Sequence, residues 1–150
     1  MTAKEYLEQL KILDTRLRQD YKQLEEARKL EMINGIDYSK PRVKTSLPNG
    51  LDGPIACLVD WEERLHREIE SYIRLKEKII SQIRGMENPV YEQVLFKRYI
   101  ESKGLRMIAA ELGYSHVHTC RLHGMALEEF KIKYGSAFNQ IPSIYGIGDC

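Results

Sequence analysis

A chain of 150 residues, 43% hydrophobic and 30% charged, has room for one domain, or for a small domain joined to an extended helical element, and is short for a multi-step enzyme. Its 23 basic and 22 acidic side chains nearly cancel, and the N-terminus turns charged at once at Lys4 and Glu5, which leaves no signal peptide and no membrane span. Three cysteines, Cys57, Cys120 and Cys150, form no paired motif; they read as free thiols in a reducing compartment, and a cytoplasmic location is expected.

The chain opens on a long amphipathic pattern that predicts a helix from about Thr2 to Ile33. Ala3, Tyr6, Leu10, Leu13, Leu17, Leu24 and Ala27 recur at the three-and-four spacing of a coiled-coil seam. Asp20 is the one polar break in that seam, and Tyr21 beside it is placed to fill part of the gap. Asn34-Gly35 is a strong helix terminator. From Gly35 to Pro54 four glycine or proline signals follow in quick succession, among them Lys40, Arg42 and Lys44, so the segment reads as a mobile, solvated loop.

A second long helix is predicted from Ile55 to about Arg84. Ile55, Leu58, Leu65, Ile69, Tyr72, Ile79 and Ile83 follow the seven-residue repeat, while Trp61, Ile73 and Ile80 widen the apolar band. Two such helices joined by a flexible loop are expected to fold back as a long antiparallel hairpin. Each helix of a pair buries one seam, so the widened band calls for a further partner, either the C-terminal domain or a second subunit, and a homodimer is expected. Asn88-Pro89 restarts the chain as N-cap and first helical position of a helix running to about Ile100, with Val94, Leu95, Tyr99 and Ile100 as core.

The stretch from Leu105 to Leu127 carries the functional signal. Ile108, Ala109 and Leu112 make a narrow apolar face, Gly113 can adopt the left-handed conformation that ends a helix, and Ser115 can cap the next helix from about His116. In that second helix Thr119, Leu122, Ala126 and Leu127 share a buried stripe, which leaves His116, Val117, Cys120, Arg121 and Gly124 opposite, with His118 on the flank. Two short helices broken at Gly113-Tyr114-Ser115 have the shape of a helix-turn-helix, whose second helix reads base edges in the major groove. Arg121 suits a bidentate contact to guanine, His116 and His118 can reach bases or phosphates, and Val117 can pack against a thymine methyl. After Tyr134 the helical period is lost. The remaining segment, with Phe138, Ile141, Ile144, Tyr145 and Ile147, reads equally as a frayed end or as a strip that packs across a partner surface.

The run Ile108-Ala109-Ala110-Glu111-Leu112-Gly113-Tyr114-Ser115, followed by Arg121-Leu122-His123-Gly124-Met125-Ala126-Leu127, resembles region 4 of bacterial sigma factors, which binds the promoter −35 element; Phe96 to Glu101 fits the helix that precedes it. The layout of the whole chain is similar to a family of small phage and prophage proteins of Gram-positive bacteria related to the late-gene activators RinA and ArpU. The resemblance implies an all-α fold with a C-terminal helix-turn-helix of sigma region 4 type, and binding to double-stranded DNA in phage transcription control. RNA polymerase is a further partner it suggests. It places base-reading positions on His116, Val117, Cys120 and Arg121 and a phosphate contact on Ser115. The sigma pattern carries charged residues at most of the base-reading positions, where this chain has histidine, valine and cysteine.

The expected organisation is therefore a hairpin over residues 1–85 for oligomerisation or interaction, a DNA-binding domain over 86–134 and a tail over 135–150. Residues 86–150 hold seven Lys or Arg against seven Asp or Glu, so a single copy should bind DNA weakly, and dimerisation or docking on polymerase would make up the difference. His116, Cys120 and His123, at i, i+4 and i+7, could hold a metal ion, but a structural zinc site draws ligands from more than one segment, and neither metal nor cofactor is assigned. No glycine-rich phosphate loop or nucleophile elbow is present, and no enzyme activity is expected. The alternative is an interaction or adaptor protein that works through its hairpin and carries a degenerate helix-turn-helix.

Overall fold

The computed structural model describes residues 1–33 and 52–140, in which every element is helical. The order is α1 (Ala3–Ile33), α2 (Asp52–Arg84), α3 (Pro89–Leu95) running on as a π-turn over Phe96–Ile100, α4 (Leu105–Leu112), α5 (His116–Tyr134) and a short 3-10 segment, Gly135–Gln140. Residues 34–51, which hold most of the expected loop and its three basic residues, and the end of the tail, 141–150, lie outside the described residues. Helix α2 begins at Asp52 rather than Ile55, so Gly53 and Pro54 fall in its first turn. Proline costs nothing there, because the N–H groups of a first turn have no intrahelical acceptor. Among the described residues no helix is long and apolar enough to cross a membrane.

The described residues form two compact units. One gathers Met1–Ile12 with the described residues from Arg74 onward, and its core is aromatic at one end. Tyr6 is fully buried, its ring lies 4.7 Å from that of Phe138 and 6.1 Å from that of Phe130, and its hydroxyl donates to Gln82 Oε1 at 2.9 Å. That bond satisfies the single polar atom of a ring otherwise suited to the interior. Leu7, Ile79, Ile83, Met86 and Leu95 are buried in the same unit. Leu7 falls outside the seam read from spacing alone, because α1 is covered on more than one side here. Phe138 brings the first part of the tail into this chain's own core, where a frayed end and packing across a partner surface were the two expectations.

The same unit contains the helices after Asn88. The Asn88 side chain accepts the Val90 N–H at 2.9 Å with Pro89 at the first helical position, as its residue types dictate. Helices α3 and α4 both pack on α5. Val94, Ile108 and Leu122 meet at that junction, with Val90, Tyr91, Leu105 and Leu112 around them.

The other unit lies within Leu13–Ile73. Its contacts pair the two long helices in opposite chain order: Asp14 accepts from the Tyr72 hydroxyl, and Arg28 pairs with Glu62. Leu24, Leu58 and Leu65 are buried between them, flanked by Leu17, Ala27, Trp61 and Ile69. Trp61 thus finds its partners inside this seam and needs no other subunit. Tyr21, beside the break at Asp20, is 49% exposed, on the rim of an open groove of about 600 Å³. Ile73 and Val59 remain about half exposed on α2.

Candidate nucleic-acid interface

The bend between α4 and α5 is built from three residues. Gly113 closes α4 at φ 72°, a left-handed backbone that a Cβ would strain. The next N–H, of Tyr114, reaches back to the Ala109 carbonyl at 2.9 Å, the six-to-one bond of a Schellman cap. Ser115 is extended, at φ −69° and ψ 154°, and its Oγ accepts the His118 N–H at 3.2 Å. Its carbonyl accepts twice, from the Thr119 N–H and from Thr119 Oγ1, both at 3.0 Å. Thr119 can therefore be fully buried with its hydroxyl satisfied.

That burial sets the roll of α5. Thr119, Leu122, Ala126 and Phe130 face inward, and Leu127, expected in the stripe, is only half-buried. Phe130 extends the stripe one turn further than the spacing argument carried it. Outward stand Ser115, His116, Val117, His118, Arg121 and Gly124, all exposed, while Cys120 sits half-buried at the edge. Val117 is 62% exposed, which is unusual for a valine and leaves its two methyl groups facing solvent. The Tyr114 ring meets that of His118 edge-on at 5.1 Å and so restrains a side chain that would otherwise swing freely. Tyr114 and Met107, 56% exposed on α4, were not among the expected contact residues; their sequence signal is a large apolar side chain beside the turn with no place in either stripe.

Electrostatics across α4 are settled by ion pairs. Lys97 Nζ lies 2.6 Å from Glu111, and Lys103 Nζ lies 2.8 Å from Glu111 and 2.7 Å from Glu101. Hydrogen bonds from Lys103 and then Lys97 hold the Glu111 carboxyl below the usual carboxylate range, and those from Lys103 to Glu101 and Glu111 raise the Lys103 ammonium. Glu111 thus stays ionised, but its charge is matched where it stands. From Glu111 to Glu128 the chain carries no other carboxylate, so the outward face of α5 between His116 and Gly124 presents Arg121 and two imidazoles with no fixed negative charge.

The histidines do not converge. His123 turns inward, with Nε2 2.9 Å from the Tyr99 hydroxyl and the two rings stacked at 5.8 Å. Burial, then the Arg98 and Lys4 charges, push the His123 imidazolium below its ordinary range, and burial above all pushes the Tyr99 phenol up to about 12. His116 Nε2 and Cys120 Sγ lie 3.6 Å apart on the outer side. The shared i, i+4, i+7 face is thereby split: His123 is committed to Tyr99, and no group of three metal-ligating side chains forms among the described residues. His123 is likewise not placed as a donor on the outward face.

No family model, curated protein or solved structure matches the chain.

Proposed function

We propose that this protein is a sequence-specific, double-stranded DNA-binding regulator of phage or prophage transcription, acting in the bacterial cytoplasm with the first turns of α5 in the major groove in the manner of sigma region 4. The observation that carries this reading is the capped bend at Gly113 to Ser115, which leaves His116, Val117, His118 and Arg121 exposed on a helix whose opposite face is buried. A helix start of this kind turns unpaired N–H groups and the positive end of its dipole outward, which favours a polyanion. The carboxylate-free run from Leu112 to Leu127 and the neutralised Glu111 remove the charges that would repel phosphate. Under this reading Ser115 touches phosphate, Arg121 takes a guanine through its O6 and N7, and His116, Val117, His118 and Cys120 line the remaining contact edge.

In this architecture a coiled-coil-like hairpin precedes the helix-turn-helix and joins two copies or contacts RNA polymerase, raising the modest DNA affinity of one neutral domain. The half-exposed Ile73 and Val59 support a second copy as the partner. Gel shifts with duplexes selected from a random pool test the reading. Wild type should prefer the selected duplex over an unrelated one by at least about 100-fold, and Arg121→Ala should relax the preference at one position at a cost of about 1–3 kcal/mol. Equal, weak binding of every duplex by both proteins would reject it.

A second reading, an adaptor that binds protein through its hairpin, is favoured by the groove beside Tyr21, Leu24, Arg28, Glu62, His66 and Ile69, whose lining mixes an apolar floor with charged rims.

A further inference from the structure

Helix α5 contains a glycine that the fold does not ask for. Gly124 is the ninth residue of a 19-residue helix, has no positive φ, and a Cβ built on it would meet no atom within 4 Å. Glycine in a helix interior weakens it relative to alanine, since it gives up more backbone freedom on folding. Neither packing nor backbone geometry within the described chain offsets that loss. The position is also telling. At 100° per residue, Val117 and Arg121 lie within about 40° of each other and Val117 and Gly124 within about 20°, on the line opposite Thr119, Leu122 and Ala126. From Val117 to Gly124 the axis advances about 10 Å, which is about three base-pair steps.

We infer that the duplex makes its closest approach at Gly124, and that the line Val117, Arg121, Gly124 is the seat of a three-base-pair step bearing a guanine and a thymine. The inference rests on the DNA-binding reading and deepens it. Arg121 bonds the guanine edge, the Val117 methyl groups cover the thymine 5-methyl, and the bare backbone at Gly124 lets the far end of the seat close on the groove wall. Charge agrees with this placement and bounds it: the seat carries one guanidinium and no carboxylate, and the next outward residue on the same line is the exposed Glu128, which ends it.

The test uses the full chain, a duplex selected by wild type, and two readouts. Gly124→Ala should raise the melting temperature by about 3 °C and lower affinity for the selected duplex at least about tenfold, a split that a structural glycine would not give. Gly124→Leu should keep the fold and abolish selective binding. Replacing thymine by deoxyuridine within the step should weaken wild type about three- to tenfold and Val117→Ala by less. Stabilised Gly124→Ala with undiminished binding would overturn the seat while leaving DNA binding intact, as would indifference of wild type to the lost methyl group. Failure of wild type to select any duplex would remove both the seat and the reading beneath it.

Discussion

Thr119 and His123 show how single side chains orient α5. Thr119 has a polar atom that would be costly to bury alone, and the Ser115 carbonyl accepts it, tying the cap to the core in one residue. Ser115→Ala removes the acceptor for the His118 N–H and should cost about 1 kcal/mol of stability in chemical denaturation, while leaving the Thr119 bond to the backbone carbonyl in place. His123 makes stability pH-dependent. Its folded-state pKa is depressed, so the unfolded chain takes up the proton first as pH falls through about 6.5; stability is present above that value and declines below it, down to the folded pKa. Tyr99 works in the opposite direction: with its pKa raised from 10.0 to about 12, its contribution is complete below pH 10 and is lost between pH 10 and about 12. Melting temperatures of wild type and His123→Gln from pH 7.5 to 5 should diverge at neutral pH and converge on the acid side. Parallel curves would mean that His123 titrates normally.

At the scale of elements, the sequence displayed the local rules and hid the long-range ones. Asn88, Pro89, Gly113 and Ser115 act within a few residues of themselves, so the start of α3, the end of α4 and the start of α5 could be read from residue type alone. The exposed run from Ser115 to His118, with Arg121 and Gly124, followed from the same spacing that buried Thr119 and Leu122. Contacts that span the chain left no such trace. Nothing in the spacing of α1 says that Tyr6 lies against Phe130 and Phe138, or that His123 leaves the outward face for Tyr99, because periodicity gives a side and not a partner. Trp61 is the same case: it widened the apolar band on paper, yet it packs beside Leu24, Leu58 and Leu65. The junction of α3, α4 and α5 is where a core substitution should tell most. Ile108→Ala, at a fully buried position, should cost about 2–5 kcal/mol and reduce DNA affinity only through loss of folded protein, which a measurement at low temperature with excess protein separates from a direct effect.

For the whole molecule the near-zero charge is the governing quantity. A neutral chain gains little from phosphate neutralisation, so under the proposed DNA-binding reading selectivity would have to come from base contacts and from more than one copy acting together. Ile73 is half exposed on α2, which makes it the residue whose replacement should separate two copies. Sedimentation analysis of wild type at tens of micromolar should give a dimer, and Ile73→Asp a monomer with melting temperature within about 2 °C of wild type. A monomeric wild type would place the second interaction elsewhere, with RNA polymerase as the remaining candidate.

If the outward face of α5, from its cap to Gly124, meets DNA as proposed, its amides are the ones a duplex perturbs. Amide resonances of the isotopically labelled full chain, followed while a selected duplex is added, test it directly. Perturbation should concentrate on Tyr114 to Gly124 and on the exposed Arg106 and Met107 of α4, with the residues around Leu24 and Leu65 unmoved. Perturbation confined to the groove beside Tyr21 and His66, or none at all at saturating duplex, would contradict it.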